Sequence, residues 1–90
     1  MSTVKRIEER LASLAPQHVE IVDESAKHAG HAGARSGGGH FLLTIVSNGF
    51  SGKMTLARHH MVYDALGDLM QKEIHALSIR AHTPEEFVNG

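Results

Sequence analysis

The chain has 90 residues and no cysteine, which removes disulfides, thiol nucleophiles and cysteine-rich zinc sites together. Any soft metal must then be held by histidine, or by thiolates from another chain. Long apolar runs are also missing. The longest, Phe41 to Val46 interrupted by Thr44, falls far short of the roughly 20 residues that span a bilayer. Residues Met1 to Arg10 are charged and offer no apolar core for a secretory signal, so the expectation is a cytoplasmic protein. Nor is there a basic surplus: 9 lysines and arginines face 10 acidic residues, for a net charge of -1 with histidine neutral. Each neutralised phosphate needs a cation, so this balance argues against tight nucleic-acid binding and leaves room only for a local patch. Length limits the architecture to one small domain over residues 1–90, which buries only about 60% of its unfolded surface. No nucleophile elbow, P-loop or paired-carboxylate cleft is present. The Gly37-Gly38-Gly39 run precedes a strand rather than a helix and cannot offer a helix N-terminus to a phosphate. The protein is expected not to be an enzyme.

What the chain does have is histidine, eight of them. Their places follow from a coarse reading of the pattern. Val4, Ile7, Leu11 and Leu14 recur at spacings of three and four, predicting an amphipathic helix over Thr3 to Leu14 that Ala15 and Pro16 end. Val19 and Ile21 alternate with Glu20, predicting a strand near His18 to Glu24. Ser25 to Gly39 is rich in glycine and alanine and holds no large apolar side chain, so it reads as a long loop. Unstructured loops beyond about 12 residues are uncommon in compact domains and often carry function. His40 to Ser47, apolar on both faces, predicts a central strand. Thr55 to Gln71 reads as one helix, with Gly67 as a tolerated weak point. Ile74 to His82 is the third strand, parallel to the second through a right-handed crossover. Thr83 and Pro84 open a final helix as N-cap and first helical residue. The order α-β-β-α-β-α predicts an α+β fold, a three-stranded mixed sheet with helices packed on it.

Neutral imidazole is the commonest nitrogen ligand for transition metals. His28 and His31 lie three apart in the loop, yet loop histidines are as a rule solvated, and this spacing without a third ligand does not define a zinc site. His75, at the start of the last strand, reads equally as a core histidine bonded to backbone. His40 reads as structural, opening the central strand. His59 and His60 are adjacent on a helix and point about 100° apart, so one is expected buried and the other exposed. His18 and His82 have no evident role.

Taken in order, several segments resemble the BolA family. They are Val22-Asp23-Glu24-Ser25, His28 in the following loop, and His40-Phe41. Phe50-Ser51-Gly52-Lys53 follows, leading to Leu56 and Arg58-His59, and then Ile74-His75-Ala76-Leu77-Ser78-Ile79 and Thr83-Pro84-Glu85-Glu86-Phe87. The ordered set covers the chain from the first strand to the last helix. The resemblance implies a class II KH-like fold. It also implies a heterodimer with a monothiol glutaredoxin, whose active-site cysteine and glutathione hold a [2Fe-2S] cluster that the BolA-like chain completes. In the family one ligand falls on His75 and the second, a histidine or cysteine of the loop, on His28, with His31 as alternate. The role implied is iron-sulfur trafficking or iron homeostasis, with the free chain a monomer or weak homodimer. The competing reading is a DNA-binding transcriptional regulator that uses a helix-turn-helix surface at Lys53, Arg58, His59 and His60. Two histidines on one iron with thiolates on the other would be a Rieske-like ligand set, and a cysteine-free chain can supply only the histidine half.

Overall fold

The computed structural model describes residues 2–25 and 39–89. Helix α1 (Thr3–Leu11) is capped by Ser2, whose hydroxyl accepts from the Lys5 amide at 3.2 Å. It continues into a 3-10 turn, Ala12–Leu14. The amphipathic stripe is therefore read correctly, but its last turn tightens, and the chain reverses at Ala15 with a left-handed φ of 48°. Strand β1 (His18–Asp23) pairs antiparallel with β2 (Gly39–Val46), which pairs parallel with β3 (Ile74–His82). The sheet order is β1-β2-β3 with β2 in the centre, as its two apolar faces require.

Between β2 and β3 lie α2 (Thr55–Leu66) and α3 (Leu69–Lys72). The expected single helix from Thr55 to Gln71 is thus broken at Gly67. The cause is local geometry: Gly67 adopts φ 54° and ψ -128°, a conformation with almost no cost for glycine and a high one for any residue with a Cβ. The exposed carbonyl of Leu66 is taken up by Arg10, whose Nη1 donates to it at 3.0 Å while Nη2 reaches Asp68 at 3.1 Å. One α1 side chain therefore closes the break between α2 and α3.

The core lies between the helices and one face of the sheet. Ile7 and Leu11 of α1 meet Phe41, Leu43 and Ile45 of β2 and Val62 and Leu66 of α2, with Phe50, Leu69 and Ile74 completing the cluster. Val19, Ile21, Leu77, Ile79 and Ala81 extend it onto the flanking strands. Ser47 is 1% exposed, and its hydroxyl donates to the Leu14 carbonyl at 2.8 Å and accepts from the Gly49 amide at 3.0 Å, so this buried polar group is satisfied.

The opposite sheet face is only partly covered. Helix α4 (Pro84–Asn89) carries Phe87 against it, with the ring centroid 5.1 Å from that of His18 and 6.1 Å from that of His82. Val46 lies between these two histidines in the sheet register and is 2% exposed, although it points away from the main core. Among the described residues no helix is long and apolar enough to cross a membrane.

Substituting Gly67→Ala should destabilise the protein by about 1–2 kcal/mol, from the forced backbone conformation. The new Cβ would also lie 3.3 Å from Arg10 Nη1. The midpoint of urea unfolding reads this directly, and an unchanged midpoint would mean that the helix break does not depend on glycine.

Candidate functional site

The parallel pairing of β2 and β3 slips once. Gly39 pairs with Ile74 and His40 with Ala76, so His75 is an extra residue on β3. Without the slip, strict alternation would send the odd positions 75, 77, 79 and 81 into the core together. The bulge reverses the parity at its beginning: Ile74 is buried, 4% exposed, and His75 is turned out to solvent. Bulges re-aim side chains in this way next to functional sites. Beside it stands His40, half-buried, its ring centroid 5.0 Å from that of His75 at an interplanar angle of 45°.

The backbone of His40 is held from both sides. Its amide donates to Ser25 Oγ at 3.0 Å and its carbonyl accepts from the Glu24 amide at 2.7 Å. The Ser25 amide in turn donates to Asp23 Oδ1 at 2.9 Å, and the Ser25 bonds hold the Asp23 carboxyl below its ordinary range. Gly39 completes the clasp by donating its amide to the Glu73 carbonyl at 3.0 Å. A Cβ there would lie 2.5 Å from Phe41 Cε2 and 3.2 Å from Ser25 Oγ, so no other residue fits without displacing both. Glu73 is itself tied to α1: Arg6 Nη1 approaches it at 2.7 Å and Thr3 Oγ1 donates at 3.0 Å. The Arg6 bond holds the Glu73 carboxyl below its usual range. Ser25 and Gly39, the described residues on either side of 26–38, are thus both fixed beside His40. His28 and His31 lie outside the described residues, three and six positions along the chain from Ser25.

The second set of expected residues lies elsewhere. Arg58 on α2 has a side chain only 11% exposed. Its Nη1 donates to the Ala81 carbonyl at 3.0 Å and to Glu86 Oε1 at 2.6 Å, its Nη2 to Glu86 Oε2 at 3.1 Å and its Nε to the Lys53 carbonyl at 2.8 Å. Glu86 also accepts from the Thr83 amide at 3.0 Å, while Thr83 Oγ1 accepts from the Glu86 amide at 3.2 Å. This is a reciprocal capping box. The Thr83 cap was legible from sequence, and the Glu86 half lies within the same local spacing, whereas the bidentate pairing of Glu86 with Arg58 was not legible, because the two are 28 residues apart. With its donors so committed, Arg58 fastens α2, β3 and α4 together and is not poised for a phosphate. Lys53 and His60 are exposed, and His59 is half-buried. Lys53 and His60 line a groove with Gly52, Met54, Leu56 and Ala57. Arg58 grips β3 at Ala81, six residues from His75, so this region and the His75 bulge lie about 20 Å apart along the strand.

This ordered set of elements can be matched to known proteins. The family model for the BolA-like protein covers residues 11–86. The chain belongs to the BolA family. It is 46% identical over 87 residues to SufE-like protein 1 of Arabidopsis thaliana, covering 90% of this chain and 24% of that protein. The DNA-binding transcriptional regulator BolA of Escherichia coli is 39% identical over 84 residues, covering 92% of this chain and 77% of the regulator. Against BolA-like protein 1 of the mouse the chain spans 53% of the relative's length. Among solved structures, the BolA domain of SufE1 from Arabidopsis thaliana superposes with a TM-score of 0.81 at 44% identity, covering 96% of each chain. BolA1 from the same plant gives 0.80 at 36% identity, again over 96% of each. These BolA domains carry the same α+β architecture as the three-stranded mixed sheet described above.

The Arg58 hydrogen bonds and the Thr83 amide hold the Glu86 carboxyl down at about 2, against an ordinary value of 4.5. A carboxyl lowered in the folded state stabilises above its unfolded value, and that contribution is lost as the pH falls through the folded one. Attachment of α4 should therefore be constant above about pH 5 and weaken from there toward pH 2. Loss of the Phe87 ring-current shifts on the His18 and His82 resonances would report it. In Glu86→Gln the same signals should already be weakened at neutral pH. Identical acid profiles for the two proteins would remove Glu86 from the attachment.

Proposed function

We propose that this BolA-family chain is the histidine-donating half of a [2Fe-2S] site shared with a monothiol glutaredoxin, in iron-sulfur cluster trafficking or iron homeostasis. The observation that carries this reading is His75, turned out to solvent by a bulge beside which Ser25 and Gly39, the described residues flanking the segment that contains His28, are both held. The donor set fits. A cysteine-free chain brings only imidazole, so the thiolates come from the partner's cysteine and from glutathione, and the two sides together complete a cluster that neither holds alone.

In this reading the cluster is cargo, and its iron-sulfur core supplies one-electron chemistry and exchangeable iron-ligand bonds. This chain's part is to present neutral imidazole. His75 is held on β3 between the paired residues Ile74 and Ala76, and His28, with His31 as alternate, is the second imidazole in this reading. Protonation of either ring removes its lone pair, so co-ligation weakens in acid. No bond is made or broken on an organic substrate, and the protein acts as a partner and not as an enzyme. A cytoplasmic location suits it, since a reducing compartment keeps the partner's thiol free.

A second reading, DNA binding, is favoured by one observation: the Escherichia coli relative bears the name of a DNA-binding transcriptional regulator. Lys53, His59 and His60 would be the contacts, with Arg58 released from Glu86. The net charge of -1 and the commitment of Arg58 count against it. A mobility shift at about 150 mM salt, where phosphate-driven binding weakens steeply, discriminates the two.

Mixing the chain with a monothiol glutaredoxin, glutathione, iron and sulfide should give a visible circular dichroism spectrum different from that of the glutaredoxin alone. His75→Ala should abolish the difference, and His28→Ala should reduce it more than His31→Ala does. An unchanged mixed spectrum with His75→Ala would overturn the assignment.

A further inference from the structure

His40 and His75 stand out among the described histidines as two imidazoles placed side by side on neighbouring strands. Among the described residues, His18 and His82 meet Phe87 at the far end of the sheet. We propose that His40 and His75 form a two-imidazole site for a borderline divalent cation of the Zn2+, Cu2+ or Ni2+ class in the free chain. The site shares His75 with the cluster reading but does not rest on it, since it needs no second protein.

The spacing is the first reason. Two imidazoles bound to one tetrahedral ion through metal-nitrogen bonds of about 2.0–2.1 Å have their ring centroids about 5 Å apart. The observed separation is 5.0 Å. The 45° tilt keeps the rings from stacking face to face, and the exposed His75 has room to turn its nitrogen toward an ion shared with His40.

Rigidity is the second. His40 has its amide and its carbonyl both engaged, by Ser25 and Glu24, and Gly39 just before it admits no Cβ. Sites built on strands hold their geometry better than sites on loops, so little ordering remains to oppose ion binding. Unlike a pair formed with His28, this pair needs no loop to close.

The donor chemistry selects the ion. Neutral imidazole suits zinc, copper and nickel, whereas magnesium and calcium demand oxygen ligands. Two protein ligands leave at least two coordination positions for water or for a donor from another molecule, so binding is reversible and weaker than at a closed structural site. An ion held there would occupy the His75 imidazole, and a partner offering thiolates would have to displace it or capture it.

The test uses the isolated 90-residue chain and Zn2+ alone. Calorimetric titration should show one equivalent bound, and histidine ring resonances should show His40 and His75 shifting together at that equivalent. His40→Gln and His75→Gln should each weaken the affinity roughly tenfold or more, while His60→Gln leaves it unchanged. The double variant His28→Ala/His31→Ala should keep the site. Movement of His75 without His40 in the unsubstituted chain would overturn the proposal even if His40→Gln failed to fold. Retention of full affinity in His40→Gln, or its loss in the loop variant, would do the same. The glutaredoxin spectrum is a separate measurement, so failure of the cation site leaves the cluster reading standing and the reverse also holds.

Discussion

Parallel pairing of β2 with β3, and the single slip within it, is the constraint on which the rest of the molecule turns. Phe41, Leu43 and Ile45 can face the helices only if Leu77, Ile79 and Ala81 lie beside them in step. That register alone would bring His75 to the core face and leave Ile74 in water. One extra residue resolves the conflict by burying the isoleucine and expelling the imidazole, whose desolvation would otherwise oppose folding. The same feature that repairs the core therefore creates the exposed histidine. Gly39, opposite the slip, is required by the close approach of Phe41 and Ser25, and it is the first residue of β2.

From this arrangement the molecule acquires two chemically different ends. At the bulge, His40 and His75 stand beside Ser25 and Gly39, held by backbone hydrogen bonds, with Glu73 tied back to Arg6 and Thr3 of α1. At the other end Arg58 and Glu86 join three elements through a charge-assisted bidentate pair, the stronger kind of hydrogen bond. Its value is mechanical: a short C-terminal helix with few contacts of its own would not stay on the sheet without a fastening. An arginine used in this way is lost to ligand recognition while the helix is docked.

The histidine surplus divides along the same line. His18 and His82 flank Phe87 and help to cover Val46, a packing role for rings whose bodies are apolar. His40 and His75 face each other across the bulge. His59 is half-buried, not buried as expected, and His60 is exposed, their adjacency on a helix turning them to different sides.

Periodicity in the chain was enough to locate the strands and the helical regions, because burial of one helical stripe or one sheet face leaves a pattern that the order of residues alone displays. The absence of cysteine by itself determined that this chain can offer a soft metal imidazole but no thiolate. Thr83 and Pro84 announced the last helix, since capping depends on residues next to one another. Tertiary structure decided what depends on partners distant in sequence. The break at Gly67 is fixed by a backbone angle that Arg10 supports from another helix. The engagement of Arg58 needed Glu86, 28 residues away, and the pairing of His40 with His75 needed two strands laid in parallel with one residue to spare. Local patterns record which face is apolar, whereas a one-residue slip between strands is set by the packing of the whole core, and only there does the exposed histidine acquire its place.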